Sequence, residues 1–234
     1  MAYTYATWLT ALANELVVAE DSAPFVAIVP TIIDYAEQRC YRDLDLIYTT
    51  ERDATGTLSA NTRTGTVPTP SSGVYRVIDQ INVLQSGSRT PLTPSSQEVI
   101  DMLWPSSTAA SSSTIPSMYA MVTATTFIVG PPPGSSLSFE TVGKIRPNPL
   151  TAINTTTILT TYFPDLFFAA SMISGTGWQQ NYGAQGDDPR SAMSWSQQYD
   201  MLLKSADTEN QRAKFGGASW TSKPIMTQAL PQRG

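Results

Sequence analysis

The chain has 234 residues, 41% of them hydrophobic and only 14% charged, with a net charge of −5, one cysteine and no histidine. That length holds one good core, or a helical domain beside a β domain, and the charged content sits well below the usual quarter. With no Lys/Arg block, counterion-release binding to nucleic acid and binding to membrane surfaces are both disfavoured, and without histidine the Ser-His-Asp and Cys-His routes are excluded.

Serine, threonine and proline take the place of the charges. A surface of hydroxyls suits a protein packed against neighbours, and equally a turn-rich β domain. The single Cys40 cannot form an intramolecular disulfide, as expected of a chain made in a reducing compartment. The opening MAYTYATWLT lacks the basic and apolar regions of a signal peptide, and no apolar run approaches transmembrane length.

Residues 4–18 read as a helix, with Tyr5, Trp8, Leu9, Leu12 and Leu16 on one face and Thr4 as N-cap. A second helix starts at Pro24 or Pro30 and runs to Leu46. Val29, Ile33, Ala36, Cys40 and Leu44 form its apolar stripe, with Pro30 tolerable in a first turn. Its other face carries Asp34, Glu37, Gln38, Arg39 and Arg42, and Cys40 reads as a small buried apolar residue.

From 47 to 150 short β-prone runs alternate with Gly/Pro/Ser turns. IYTT at 47–50 is a strand, and 64–73 is a loop or weak edge strand. VYRVIDQINVLQ at 74–85 alternates, with Val77, Ile81 and Val83 on its apolar face. SSQEVIDML at 95–103 is a short helix with Ser95 and Glu98 as a capping box. Residues 106–117 form a low-complexity linker, 118–123 and 126–130 a hairpin, PPPG a turn, and 136–145 a further strand ended by RPNPL.

Helices return at 162–175, with Pro164 at the first position, Leu166, Phe167, Ala170 and Ile173 facing a core, and Gly175 as the left-handed residue after the last turn. The last helix spans 187–215. Asp188 caps it, Pro189 starts it, and Ala192, Trp195, Tyr199, Leu202 and Ala206 form its stripe. Residues 216–234 predict an extended tail with no core of its own. The fold class is therefore α+β. N-terminal helices (1–46) and C-terminal helices (151–215) make one bundle, a β-rich lobe (47–150) is inserted between them, and the tail follows.

No phosphate loop, dinucleotide fingerprint or metal motif is present, so neither a cofactor nor a metal is expected. The Asp187–Asp188 pair is explained by a helix N-terminus, and Asp43–Leu44–Asp45 lacks the glycine and glutamate of a calcium loop. Nothing in the spacing selects a carboxylate pair for glycoside hydrolysis.

Ala36, Glu37, Gln38 and Arg39, followed by Tyr41, Arg42, Asp43 and Leu44, closely resemble the second-helix signature of head-to-tail adaptor proteins of short-tailed phages. The later order is similar too. FIVGPPPG stands for a Pro-rich hairpin, SLSFETVGKI for a strand, and Tyr162, Pro164, Asp165 and Leu166 for a helix start. A closing helix rich in Gln, Arg and Lys follows. The chain departs from that pattern in the glycine-rich stretch at 174–186, where a continuous helix or short turn is expected.

The resemblance implies a non-enzymatic virion protein, made in the host cytoplasm. It implies a ring of about twelve copies beneath the portal protein, closed by head-to-tail contacts. Such a ring extends the DNA channel without binding DNA specifically, and meets a tail-nozzle or tail-tube protein. The alternatives are a tail-tube or nozzle subunit itself, or a carboxylate-based glycan hydrolase.

On this reading Glu37, Arg39, Arg42 and Asp43 are candidates for contact between subunits, since charges on a helix face can fix partner and register. Reversing both arginines is then expected to spare the fold and block assembly. In the tail, Trp220, Lys223, Pro224, Ile225, Met226 and Leu230 are candidates for docking on the portal, with Trp220 the aromatic anchor.

Overall fold

The computed structural model describes residues 2–109, 111–179 and 189–215. Contacts divide the chain into two units. One holds residues 8–47 with those from 162 onward, and the other holds 3–7 with 48–161.

The first helix, α1, runs Tyr5–Glu15. Thr4 caps it as expected: the Thr7 N–H donates to Thr4 Oγ1 at 3.3 Å, and the Thr4 N–H donates back to Thr7 Oγ1 at 2.8 Å. It stops short of residue 18 because Val17 takes a left-handed φ of 53°. The Val18 N–H then reaches back to the Ala13 carbonyl at 3.0 Å, and the Val17 N–H to Asn14 at 3.2 Å. This is the bonding of a Schellman end, with a β-branched residue where glycine is usual.

Helix α2 spans Ala23–Asp43, so Pro24 lies in its first turn and Pro30 lies inside it. The expected alternative start at Pro30 and end at Leu46 are both corrected. Pro30 is tolerated on the exposed side, and Leu44 leaves the helix with extended backbone. Val29, Ile33, Ala36 and Cys40 are buried as the spacing predicts, and Phe25, Ile32 and Glu37 join them.

Helix α5 spans Pro164–Gln179, and α6 spans Pro189–Phe215. α5 packs against both α2 and α6. Serving two neighbours explains why Leu166, Phe167, Ala169, Ala170 and Met172 are all buried while Ile173 is only half-buried. Trp8 lies 5.7 Å from the Phe167 ring and donates its indole N–H to Ser171 Oγ at 3.3 Å. Gly175 does not end α5. It sits inside the helix, where a Cβ would approach Leu16 Cδ1 to 3.1 Å. Close packing of α1 against α5, not a left-handed φ, is what the glycine serves there.

The β unit has two four-stranded sheets. The first has the order β1-β8-β3-β4, with β1 at Thr50–Leu58, β3 at Gly73–Gln85, β4 at Ser88–Pro91 and β8 at Leu137–Pro147. The second has the order β2-β7-β6-β5, with β2 at Thr64–Thr66, β5 at Thr93–Pro94, β6 at Met118–Met121 and β7 at Thr126–Gly130. One core joins them. Leu58, Ile81, Val83 and Phe139 come from the first sheet, and Tyr119, Phe127 and Val129 from the second.

The hairpin of β6 and β7 and the short β2 are where the residue pattern put them, whereas β8 runs past the expected stop into RPNPL, with Arg146 and Pro147 paired to Val74 and Gly73. IYTT is corrected: Ile47–Thr49 is a single 3-10 turn and the strand begins at Thr50. In β3 two bulges, between Tyr75 and Val77 and between Ile78 and Gln80, reset the alternation. Val77 is therefore 55% exposed, while Tyr75 and Ile78 pack on the core that Ile81 and Val83 enter. Helix α3, Gln97–Leu103, is capped by Ser96 rather than Ser95. Ser96 Oγ accepts from the Val99 N–H, so Glu98 is not the partner of a capping box. The short helix α4, Ile158–Tyr162, precedes α5.

Candidate functional site

The 3.6-residue period of α2 places its polar side chains, and α6 decides which of them stay open. Arg39 is drawn into a seam between the two helices. Its Nη1 donates to the Tyr35 hydroxyl at 3.3 Å, and its guanidinium carbon lies 4.3 Å from the centre of the Tyr199 ring. Its Nε is 3.9 Å from Asp43 Oδ2, which accepts the Tyr199 hydroxyl proton at 2.9 Å. Burial works against the Arg39 charge, but the Tyr35 hydrogen bond and the fields of Tyr35, Tyr199 and Asp43 outweigh it, so its pKa lies above the ordinary value. The Tyr199 hydroxyl is pushed up in turn, chiefly by burial.

The seam continues past the end of α2. Asn210 is 1% exposed. Its Nδ2 donates to the Asp45 carbonyl at 2.7 Å, and its Oδ1 accepts the Ile47 N–H at 3.2 Å. Lys214 Nζ closes the series at 2.6 Å from Asp45 Oδ2. One side chain of α6 thus satisfies backbone groups that the turn after α2 leaves unpaired.

Among the sequence candidates on α2, Glu37 is fully buried, contrary to its expected place on the polar face. It lies at the edge of the buried arc that Ile33, Ala36 and Cys40 define, so a stripe one residue wide underestimates what is covered. Arg39 and Asp43 are brought together within the subunit, with side chains 20% and 28% exposed. Arg42 alone stands out, at 75% exposure. Sequence reasoning missed Asn210 as a functional position, although it extends the stripe four residues beyond Ala206. Of that stripe, Tyr199 and Ala206 are buried and Trp195 and Leu202 half-buried. The side chain of Ala192, the cap Asp188 and the candidates Trp220, Lys223, Pro224, Ile225, Met226 and Leu230 lie outside the described residues.

The β unit holds a second polar cluster, invisible in the sequence. Glu140 on β8 is 2% exposed. It accepts from Asn82 Nδ2 at 3.0 Å and lies 3.1 Å from Arg89 Nε and 3.7 Å from Arg52 Nη1. Each of the four strands contributes one of these residues.

Cys40 lies beside the seam. Burial, above all, pushes its thiol from an ordinary 9.0 up to about 12. The folded chain therefore holds a proton that the unfolded chain releases first. The sign follows: stability is full below the ordinary value and falls as the pH rises from there toward about 12. Urea titrations at rising alkaline pH should show this loss, and Cys40→Ala should flatten it. An unchanged slope in the variant would place the alkaline sensitivity elsewhere.

Among the described residues no group of three or more His, Cys, Asp or Glu side chains could hold a metal ion. No helix among them is long and apolar enough to cross a membrane.

A family model described as SU10 adaptor protein matches residues 3–222. The chain belongs to the SU10 adaptor family. No curated protein matches it. The family agrees with the resemblance to phage head-to-tail adaptors carried by Ala36–Leu44 and Tyr162–Leu166. The matched span takes in both units of the adaptor and reaches Trp220, stopping just before Lys223.

Proposed function

We propose that this adaptor is a structural, non-catalytic part of a tailed-phage virion, forming a ring beneath the portal that prolongs the DNA channel and receives the tail. The observation that carries the reading is the family match along nearly the whole chain. The physical work of such a protein is adhesion and symmetry matching, and the adaptor has surfaces suited to it. Arg42 keeps its guanidinium 75% exposed while its Nε lies 3.7 Å from Asp43 Oδ1, so most of its donors face outward. Residues 216–234 carry Trp220, Ile225, Met226 and Leu230, apolar anchors of the kind that dominate binding at a partner's pocket.

Capture by purified portal rings tests this directly. The full chain should bind them. Deleting 216–234 should leave the melting temperature nearly unchanged and abolish capture. Arg42→Glu should also keep the fold, since exposed pairs are worth about 0.2–1 kcal/mol, while weakening incorporation. A full chain that ignores portal rings would refute the reading. A truncated chain that binds undiminished would move the contact to the helical unit.

A further inference from the structure

The outer face of the sheet β1-β8-β3-β4 keeps valine and arginine side chains exposed, a make-up unusual for an acidic protein. Leu137 and Phe139 face the shared core, so Glu140 faces the other way. Register puts Asn82 opposite Glu140, Arg52 opposite Val142, Val77 opposite Lys144 and Val74 opposite Arg146, all on that outer side. Val74 and Val77 are 63% and 55% exposed. The side chains of Arg52 and Arg89 are each 61% exposed, and both lean on the single buried carboxylate of Glu140. Two guanidiniums share one negative charge, so a net positive charge stays at the surface. Each guanidinium also carries five N–H donors, more than these contacts use. Exposed valines framed by oriented arginines make a recognition surface of ordinary interface composition.

The helical unit carries the complement. Residues 8–47 hold seven acidic and two basic side chains. Glu15, Glu20 and Asp21 are exposed around the turn between α1 and α2. Val17, between them in sequence, is 87% exposed, and Val26, in the first turn of α2, is 52% exposed. Valine pairs with valine and carboxylate with guanidinium.

We propose that the outer face of this sheet, through Arg52, Arg89, Val74 and Val77, docks the acidic α1–α2 turn of a second copy of the chain. The two patches are different surfaces, so the contact is heterologous, and repeated copies propagate in one direction until the rotation closes. This deepens the ring reading above by naming the surfaces that meet.

The test uses disulfide trapping, which Cys40 does not disturb because it is fully buried. Val17→Cys and Val77→Cys are made in separate chains and mixed under mild oxidation at low ionic strength, both free and on portal rings. A mixed disulfide dimer is expected, with neither variant cross-linking to itself, and a chain carrying both changes should give a ladder. Adding Glu15→Lys and Asp21→Lys should cut the yield about tenfold, because the complementary charges steer encounter. In a second pair, Asp21→Cys with Val77→Cys, the change Val17→Gly should raise the melting temperature by relieving the left-handed backbone and yet reduce trapping. Absence of the mixed disulfide, or equally ready self-cross-linking of Val17→Cys, overturns the proposal. So does retention of the chain on duplex DNA without cross-links, which would assign the arginines to phosphates. Portal capture without cross-links sinks this surface and leaves the adaptor reading intact; cross-links without portal capture do the reverse.

Discussion

Replacing Phe139 by alanine should lower the unfolding free energy of the chain by about 3–5 kcal/mol. Phe139 is fully buried at the junction of the two sheets, its ring centre 5.2 Å from that of Phe127 in an edge-on arrangement. Such a pair adds about 0.5–1.5 kcal/mol to the area it buries. The ring also lies directly on Gly56, so tightly that a Cβ there would fall 2.3 Å from Phe139 Cζ. Removing it opens a cavity that neither sheet can close, because β8 is held on both sides by β1 and β3. Urea unfolding measures the loss. A cost under about 1 kcal/mol would mean that the strands collapse into the space and that the sheets are not locked by this pair.

Arg39→Glu should cost about 2–4 kcal/mol, while Arg42→Glu should stay within about 0.5 kcal/mol. The two arginines sit three residues apart on one helix, and sequence reading treats them alike. The structure separates them. At position 39 a carboxylate would lose the Tyr199 ring and the Tyr35 hydroxyl and would face Asp43 one turn along the same helix. At position 42 it would stand largely in solvent, giving up a 3.7 Å contact of an exposed guanidinium with Asp43 Oδ1. Charge reversal is therefore expected to spare the fold at Arg42 alone, and assembly defects of the double variant would be confounded by damage to the α2–α6 seam. Thermal melts of the two single variants decide this. Equal stability would show that the seam contributes little and would restore Arg39 as a surface residue.

The resemblance to adaptors was readable from the sequence because it rests on local runs, Ala36–Leu44 and Tyr162–Leu166, and the family match bears it out. The helices were legible for a related reason. Period and punctuation are local, so Thr4, Pro164 and Pro189 marked starts, and Val29, Ile33, Ala36 and Cys40 marked a buried face. Strand β1 was not legible. Glu51, Arg52 and Asp53 are poor β formers, and they are held extended by pairing with Gly143, Val142 and Thr141 far along the chain. The hairpin into β4 was signalled only by Ser86–Gly87, whose positive φ values turn the chain there.

What only the tertiary structure decided is which polar residues are surface and which are mortar. Glu37, Arg39 and Asn210 look like solvent-facing residues until α5 and α6 pack on α2 and cover them. Bulges in β3 exchanged the roles of Val77 and Ile78, a shift that alternation cannot foresee because one inserted residue reverses every side chain beyond it. Arg52, Asn82, Arg89 and Glu140 lie far apart in sequence and meet only because four strands bring them to one face. Local signals specify an element and its buried side; long-range pairing specifies which charges end as neighbours.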